Sequence, residues 1–346
     1  MLDHELLKKL CTADGISGDE ERVREIIADE IRPFADDIRT DALGNLIVFK
    51  KGRERAKTKL MLSAHMDEVG FIVTDITVDG MLKFAPVGGI NDSAVFARQV
   101  LVGKNKISGV VCAKPLHLLS GDEKNKCPKM ESLSIDIGTC SIDEALRYVS
   151  FGDSIVFDSF YEDSDGRIIS KAIDDRFGCL VLIDMIRREL PYDMYFAFCV
   201  QEEVGLRGST TAAYQIAPDS AIVIEATTAA DVPIAENEKR VCLVGGGAVV
   251  SFMDRATLYD REYYQTAMEL AKEKKIPAQT KTMIAGGNDA GAIHRSRGGV
   301  RTMAVSVPCR YLHGCAALIS VSDAEAVERL VWELAGRIAG NDKTGG

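Results

Sequence analysis

The amino-acid sequence has two textures, and the order in which they occur restricts the fold. Residues 1–73 and 170–346 read as helices alternating with apolar strands, whereas 74–169 read as short β-branched runs separated by turns. At the N-terminal end, HELLKKL carries leucines at helical spacing and ERVREIIADEI follows, stopping before Pro33. The run KLMLSAHMDEVGFIV is then apolar enough for a buried central strand. After Lys171 the helix DRFGCLVLIDMIRREL leads to strand MYFAFCV, GSTTAAYQI to SAIVIEA, and TLYDREYYQTAMELAKEKK to VRTMAVSV. The segment DAEAVERLVWELAGRIA closes the pattern. Such alternation predicts an α/β fold with a central mixed sheet covered by helices on both faces. The middle region carries Asp-Gly, Gly-Lys-Asn and Gly-Asp turn signals and one helix-like stretch, SIDEALRYV, so it predicts a small inserted β-rich domain. Ser17 with Glu20, and Ser141 with Glu144, have the spacing of capping boxes.

Composition narrows the function classes. A chain of 346 residues is comfortable for two domains. Its net charge of -10 argues against nucleic-acid binding, which needs clustered Lys and Arg. No apolar run reaches the roughly 20 residues of a membrane span, and MLDHELLKKL lacks the apolar core of a signal peptide. The nine cysteines are scattered without a C-x-x-C, which fits reduced, mostly buried thiols in the cytoplasm.

In open α/β sheets, sites form beyond the carboxyl ends of strands. His65-Met66-Asp67 follow KLMLSA, Asp174-Asp175 precede a helix, and Glu202-Glu203 follow MYFAFCV. Glu225 follows SAIVI, and His313 follows MAVSVPCRYL. Each has a plainer explanation alone: a lone strand-end His is more often structural, an Asp before a helix is more often an N-cap, and Glu225 could face solvent in a turn. Together they do not. Buried carboxylates repel one another and are costly to desolvate without a counter-charge, and no Lys or Arg stands among these positions. Metal cations are the economical answer. Imidazole plus carboxylate suits zinc, cobalt or manganese, and this set suffices for two metals sharing a bridging carboxylate. His65 and Asp67 lie on one face of an extended segment, so Asp67 is expected to accept the second His65 N–H and fix its tautomer. Glu202 and Glu203, adjacent on a strand, are expected to point apart.

In this order, SAHMDEVGFIV, KAIDDRFG, QEEVGLRGS, the strand ending at Glu225 with ADVP beyond, SFMDRATLYD, GGNDAGAIH and SVPCRYLHG resemble the tetrahedral-assembly aminopeptidases. These are cytosolic dinuclear metallopeptidases, also called glutamyl or deblocking aminopeptidases, some of them labelled endoglucanase. The resemblance spans essentially the whole chain. It implies a zinc-peptidase-like fold in which His65, Asp174 and Glu225 bind one metal while Asp174, Glu203 and His313 bind the other. Glu202 is then the general base, and Asp67, as the partner of His65, stands with it among the catalytic residues. Two divalent ions per subunit are implied, zinc foremost, with cobalt and manganese as alternatives. Asp289 and Gly287 would stand in the wall of the substrate side-chain pocket. The insert at 74–169 would be a dimerisation domain, and dimers would build a tetrahedral dodecamer that trims peptides from the N-terminus. Two positions depart from the family pattern, which has Asp where this chain has Glu225 and Ser where it has Gly314.

Other readings use the same residues. A glycan hydrolase needs two carboxylates flanking a sugar, which leaves both histidines without a role. A deacylase on the same scaffold is the milder variant. A catalytically degenerate homologue kept for assembly or binding draws support only from positions 225 and 314.

Overall fold

The computed structural model describes residues 2–233 and 239–341. The chain begins with α1 (His4–Thr12), α2 (Glu21–Ile31), β1 (Asp37–Thr40), β2 (Leu46–Lys50) and β3 (Leu60–His65). It continues through β4 (Gly70–Ile76), β5 (Leu82–Val87), β6 (Gln99–Val102), β7 (Ile107–Cys112), β8 (Ser134–Asp136), α3 (Ile142–Ala145) and β9 (Ser154–Phe157). The hairpin β10 (Glu162–Ser164) and β11 (Arg167–Ser170) leads to α4 (Ile173–Arg187), β12 (Met194–Cys199), α5 (Arg207–Ile216) and β13 (Ser220–Thr228). Last come β14 (Ala248–Val250), α6 (Arg261–Glu273), β15 (Ala278–Thr280), α7 (Ala290–Ile293), β16 (Arg301–Cys309), β17 (Ala317–Ser320) and α8 (Val321–Gly340).

One sheet has the order β1-β2-β12-β3-β13-β16-β14-β15. Its inner strands β12, β3, β13 and β16 are parallel, while β2 and β14 pair antiparallel with their inner neighbours. The sheet is therefore mixed, and helices flank it: α4 packs on β3 and β13, α8 on β16 and β14, α5 on β12, and α7 on β13 and β16. Every residue of β3 is buried, and α4 is apolar and buried around nearly its whole circumference. That is what continuous apolar runs produce when they lie between other layers.

The run KLMLSAHMDEVGFIV does not form one strand. It supplies β3 and then, after a break at 66–69, β4. The second strand belongs to a separate closed antiparallel barrel, β4-β5-β8-β7-β6-β9. Phe71 lies at its centre, edge-on to Phe84 at 5.1 Å and to Phe157 at 5.4 Å. From the barrel the chain returns through β10 and β11, the latter paired with β17 beside α8.

Two local expectations need correction. The Ser17–Glu20 capping box does not form: α2 starts at Glu21 without a side-chain cap, because Ser17 and Glu20 are both engaged with distant residues. The proposed helix at TLYD starts later, at Arg261, where Asp260 caps the Tyr263 N–H at 3.1 Å. Ser141 does cap α3, taking the Glu144 N–H on its Oγ at 3.3 Å, while the Glu144 carboxylate accepts the Cys140 N–H at 2.9 Å, one residue short of a full capping box.

Candidate metal centre

The carboxyl ends of the four parallel strands face a common cleft. His65 is the last residue of β3, which delivers its ring to the sheet edge. Strand β13 runs past Glu225 to Thr228, but its pairing with β3 stops at Val223 opposite Ser63. Glu225 therefore stands next to β16 only, opposite Ser306, and is open toward His65. Asp174 enters from the first turn of α4. Glu202 and Glu203 come from the loop beyond β12, and His313 from the segment between β16 and β17.

These side chains converge. His65 Nε2 lies 3.4 Å from Asp174 Oδ1, 3.8 Å from Glu225 Oε2 and 4.0 Å from Glu202 Oε2. His313 Nε2 lies 3.5 Å from Asp174 Oδ2 and 3.3 Å from Glu203 Oε1. Asp174 thus turns one oxygen to each imidazole. The donor atoms form overlapping groups: His65 with Asp174 and Glu225, Asp174 with Glu203 and His313, and His65 with Glu202 and Glu203.

The chemistry of this donor set fits divalent cations. His65 Nδ1 lies 3.0 Å from the Asp67 carbonyl and His313 Nδ1 lies 2.8 Å from the Gly89 carbonyl. A carbonyl only accepts, so each Nδ1 must donate. In a neutral ring Nε2 then offers a lone pair, and it faces carboxylate oxygens that are also acceptors. Asp174 Oδ1 and Glu225 Oε1 are buried with no hydrogen-bond partner, a costly state for a carboxylate. Burial above all pushes the Glu202 and Glu225 carboxyls well above the usual range and Glu203 up to about 7. For His313, burial lowers the pKa, but Asp174 and Glu203 outweigh it and raise it to about 9. His65 is raised in the same way by Asp174 and its other carboxylate neighbours, against its burial. Asp174 is held well below the ordinary carboxylate range by both imidazoles, despite burial.

Several site residues behave differently from the sequence expectation. His65 Nδ1 is closer to the Asp67 carbonyl than to its carboxylate Oδ1, which is 3.4 Å away. The Asp67 carboxylate instead accepts the N–H groups of Glu202 at 3.0 Å and Glu203 at 3.1 Å, and the Ser17 hydroxyl at 2.6 Å. Glu202 and Glu203 do not point apart, because β12 ends at Cys199 and Gln201 adopts a left-handed φ of 55°. Strand alternation no longer applies to them, and both carboxylates face the cleft.

The cleft has a volume of about 420 Å³ and is lined by Gly287, Asn288, Lys281, Thr227 and Asp254 besides the acidic cluster. Asp289 does not line it. It is wholly buried behind the wall, where burial pushes its carboxyl up to about 6. At Gly314 an added Cβ would meet only the Tyr311 carbonyl, at 3.4 Å, so the site does not demand glycine there. Gly88 is different. It has φ of 91°, and a Cβ would lie 3.2 Å from Glu203 Cβ and 2.8 Å from Val69, so glycine lets the strand exit bring Gly89 against His313. That contact, and those of Ser17, Glu20 and Lys281, had no local signature beyond the residues themselves.

The chain is similar to known aminopeptidases over most of its length. A family profile described as M42 glutamyl aminopeptidase matches residues 44–330. A putative aminopeptidase of Acetivibrio thermocellus is 38% identical over 331 residues, covering 95% of this chain and 97% of the relative. Among solved structures, a TET aminopeptidase from a marine sediment Thaumarchaeota archaeon superposes with a TM-score of 0.92 at 36% identity, covering 96% of each chain. The TET1 peptidase of Pyrococcus horikoshii, described as assembling into a tetrahedron or a large octahedral shell, gives 0.84 at 36% identity, covering 97% of this chain and 99% of that one. A chain with this profile match, this fold and these relatives belongs to the M42 aminopeptidase family and is a peptide hydrolase.

Proposed function

We propose that the protein is a dinuclear, metal-dependent aminopeptidase of the cytoplasm that releases N-terminal residues from peptides. The observation that carries this reading is Asp174, whose two oxygens face two imidazoles, with Glu225 and Glu203 flanking them on either side. His65, Asp174 and Glu225 would hold one divalent ion, and Asp174, Glu203 and His313 the other, zinc foremost and cobalt or manganese as alternatives. When bound, such ions supply Lewis-acid polarisation of the scissile carbonyl and a lowered pKa for the attacking water. Glu202 belongs to neither ligand set, which leaves it to take the proton from the attacking water and return it to the leaving amine. Asp67 acts on Glu202 and Glu203 through their backbone N–H groups. A substrate's free α-ammonium is favoured by the surplus of carboxylates, which accounts for cleavage at the N-terminus. Glu225 in place of Asp keeps a carboxylate in reach of His65, so the first ligand set stays complete.

Lys281 favours an acidic first side chain. It is 8% exposed, lines the cleft, donates to the Ala285 carbonyl at 2.8 Å and meets no carboxylate at ion-pair distance among the described residues. Residues 74–169 serve as the dimerisation domain of a homo-oligomer, the tetrahedral dodecamer of the TET relatives. Exposed Phe96, Val110, Leu116, Leu118 and Phe151 on and around the barrel support a covered surface.

A panel of aminoacyl p-nitroanilides tests the function. Release of nitroaniline from free Glu, Asp, Leu and Lys substrates is expected, the acidic ones with the lowest KM, and none from N-acetylated counterparts. Equal turnover of acetylated and free substrates would refute the aminopeptidase reading.

A further inference from the structure

Beyond Cys199 the chain leaves the sheet, yet its next four backbone N–H groups are each taken by a side-chain oxygen from elsewhere. Val200 N–H donates to Asn45 Oδ1 at 3.0 Å and Gln201 N–H to Glu20 Oε1 at 3.1 Å. Glu202 and Glu203 N–H donate to the two oxygens of Asp67. All three acceptor residues are buried, Glu20 at 4% exposure. They replace the strand ladder that ends here, and they fix the direction in which Glu202 and Glu203 leave the backbone. Gln201 is the bend in this path, with a left-handed φ that L side chains disfavour. Its N–H is held by Glu20 alone among the described residues.

Resting on the aminopeptidase reading, we propose that Glu20 is a positioning residue: by holding the Gln201 N–H it sets the orientation of Glu202 for proton transfer. Asn45 and Asp67 serve several partners each. Asn45 also binds Asp41, Gly208 and Thr211, and Asp67 lies against His65 and Ser17. Apart from the Gln201 N–H, the contact of Glu20 is to the nearby Gly18 N–H at 2.7 Å, so its effect on the loop can be separated from the rest. The role depends on reach and not on charge, since an amide oxygen accepts from the same N–H.

Two conservative variants decide between reach and charge. Glu20→Asp keeps the carboxylate but withdraws it by one methylene, whereas Glu20→Gln keeps an oxygen at the original reach and removes the charge. The readouts are kcat and KM on an aminoacyl p-nitroanilide, metal content per chain, and hydrogen exchange of the amides in residues 200–206. Displacement of a catalytic group by about 1 Å can cost on the order of a hundredfold in rate. Glu20→Asp is therefore expected to lower kcat about tenfold or more at unchanged KM and metal content, and to speed Gln201 exchange by a similar factor. Glu20→Gln should stay close to the unsubstituted protein in all three. Native kcat in Glu20→Asp, an equal loss in Glu20→Gln, a kcat loss that follows metal loss, or failure of either variant to fold would overturn the proposal. If the unsubstituted chain hydrolysed no nitroanilide, the aminopeptidase reading would fail by itself, and exchange at Gln201 would still decide whether Glu20 holds the loop.

Discussion

Replacing Glu202 by Gln should separate chemistry from metal binding. The change swaps one carboxylate oxygen for an amide of nearly the same volume, and the backbone N–H of residue 202 keeps its bond to Asp67 at 3.0 Å. Of the three overlapping donor groups, the two proposed to hold metal, His65 with Asp174 and Glu225 and Asp174 with Glu203 and His313, contain no Glu202 atom. Metal content is therefore expected to stay at the level of the unsubstituted protein. Proton transfer is another matter, because an amide cannot act as a base. General-base catalysis contributes typically 10²–10⁴-fold, and each tenfold corresponds to about 1.4 kcal/mol of barrier. The expected loss in kcat thus corresponds to about 3–6 kcal/mol of barrier, with KM little changed. The measurement is steady-state kinetics on an aminoacyl p-nitroanilide together with elemental analysis of the same samples. A variant with kcat within threefold of the original, or one that loses metal in step with activity, would refute the assignment of Glu202 as the base.

Glu203→Gln should show the opposite signature, since Glu203 Oε1 sits 3.3 Å from His313 Nε2 in one ligand group; metal per chain and kcat should fall together, and a fall in kcat at full metal content would contradict it. Asn45→Ala orphans the buried Val200 N–H, whereas the Gly208 carbonyl keeps the Thr211 hydroxyl at 2.9 Å and Thr211 keeps Asp41; for one buried group left unsatisfied the loss is about 2 kcal/mol, or about 3 °C in Tm for a chain of this size. An unchanged Tm would show that water replaces this partner without loss. Asp184 gives a pH test away from the site, because burial, followed by the charge of Glu328, raises its carboxyl from 3.8 to about 6. The native state then holds its proton more tightly than the unfolded chain, so this contribution is full below about pH 4 and is lost as pH rises through 6. Asp184→Asn, which cannot ionise, should gain on the original protein by about 1–2 kcal/mol between pH 4 and 7, less than the full shift because the carboxyl is partly solvated, and a stability difference that stays flat with pH would refute this.

Much of the architecture was legible because it is written in local patterns. Alternating helical and apolar segments foretold the flanked sheet, and the turn-rich β-branched stretch foretold a separate β structure, though not that six short strands close into a barrel. Closure depends on long-range pairings such as β6 with β9, which no local signal encodes. The residues at the strand ends were visible for the same local reason, and the structure brings His65, Asp174, Glu202, Glu203, Glu225 and His313 together. What the sequence concealed is the work of side chains across distance. Ser17 and Glu20 have capping-box spacing, yet Asp67 and the Gln201 N–H, about 50 and 180 positions away, take precedence over the adjacent helix start. The alternation rule failed at Glu202 and Glu203 because it presumes a strand that has already ended. Asp289 looked like a pocket residue beside a Gly-Gly-Asn turn, but Gly286, Gly287 and Asn288 line the cleft and Asp289 does not.

Activity of this site depends on bound metal. The most direct measurement is elemental analysis of the purified protein before and after chelation, with nitroanilide hydrolysis followed on the same samples. Two divalent ions per chain, loss of hydrolysis on stripping and its return with added zinc, cobalt or manganese are the predicted results. Full hydrolysis by a chain carrying no divalent metal would contradict the account.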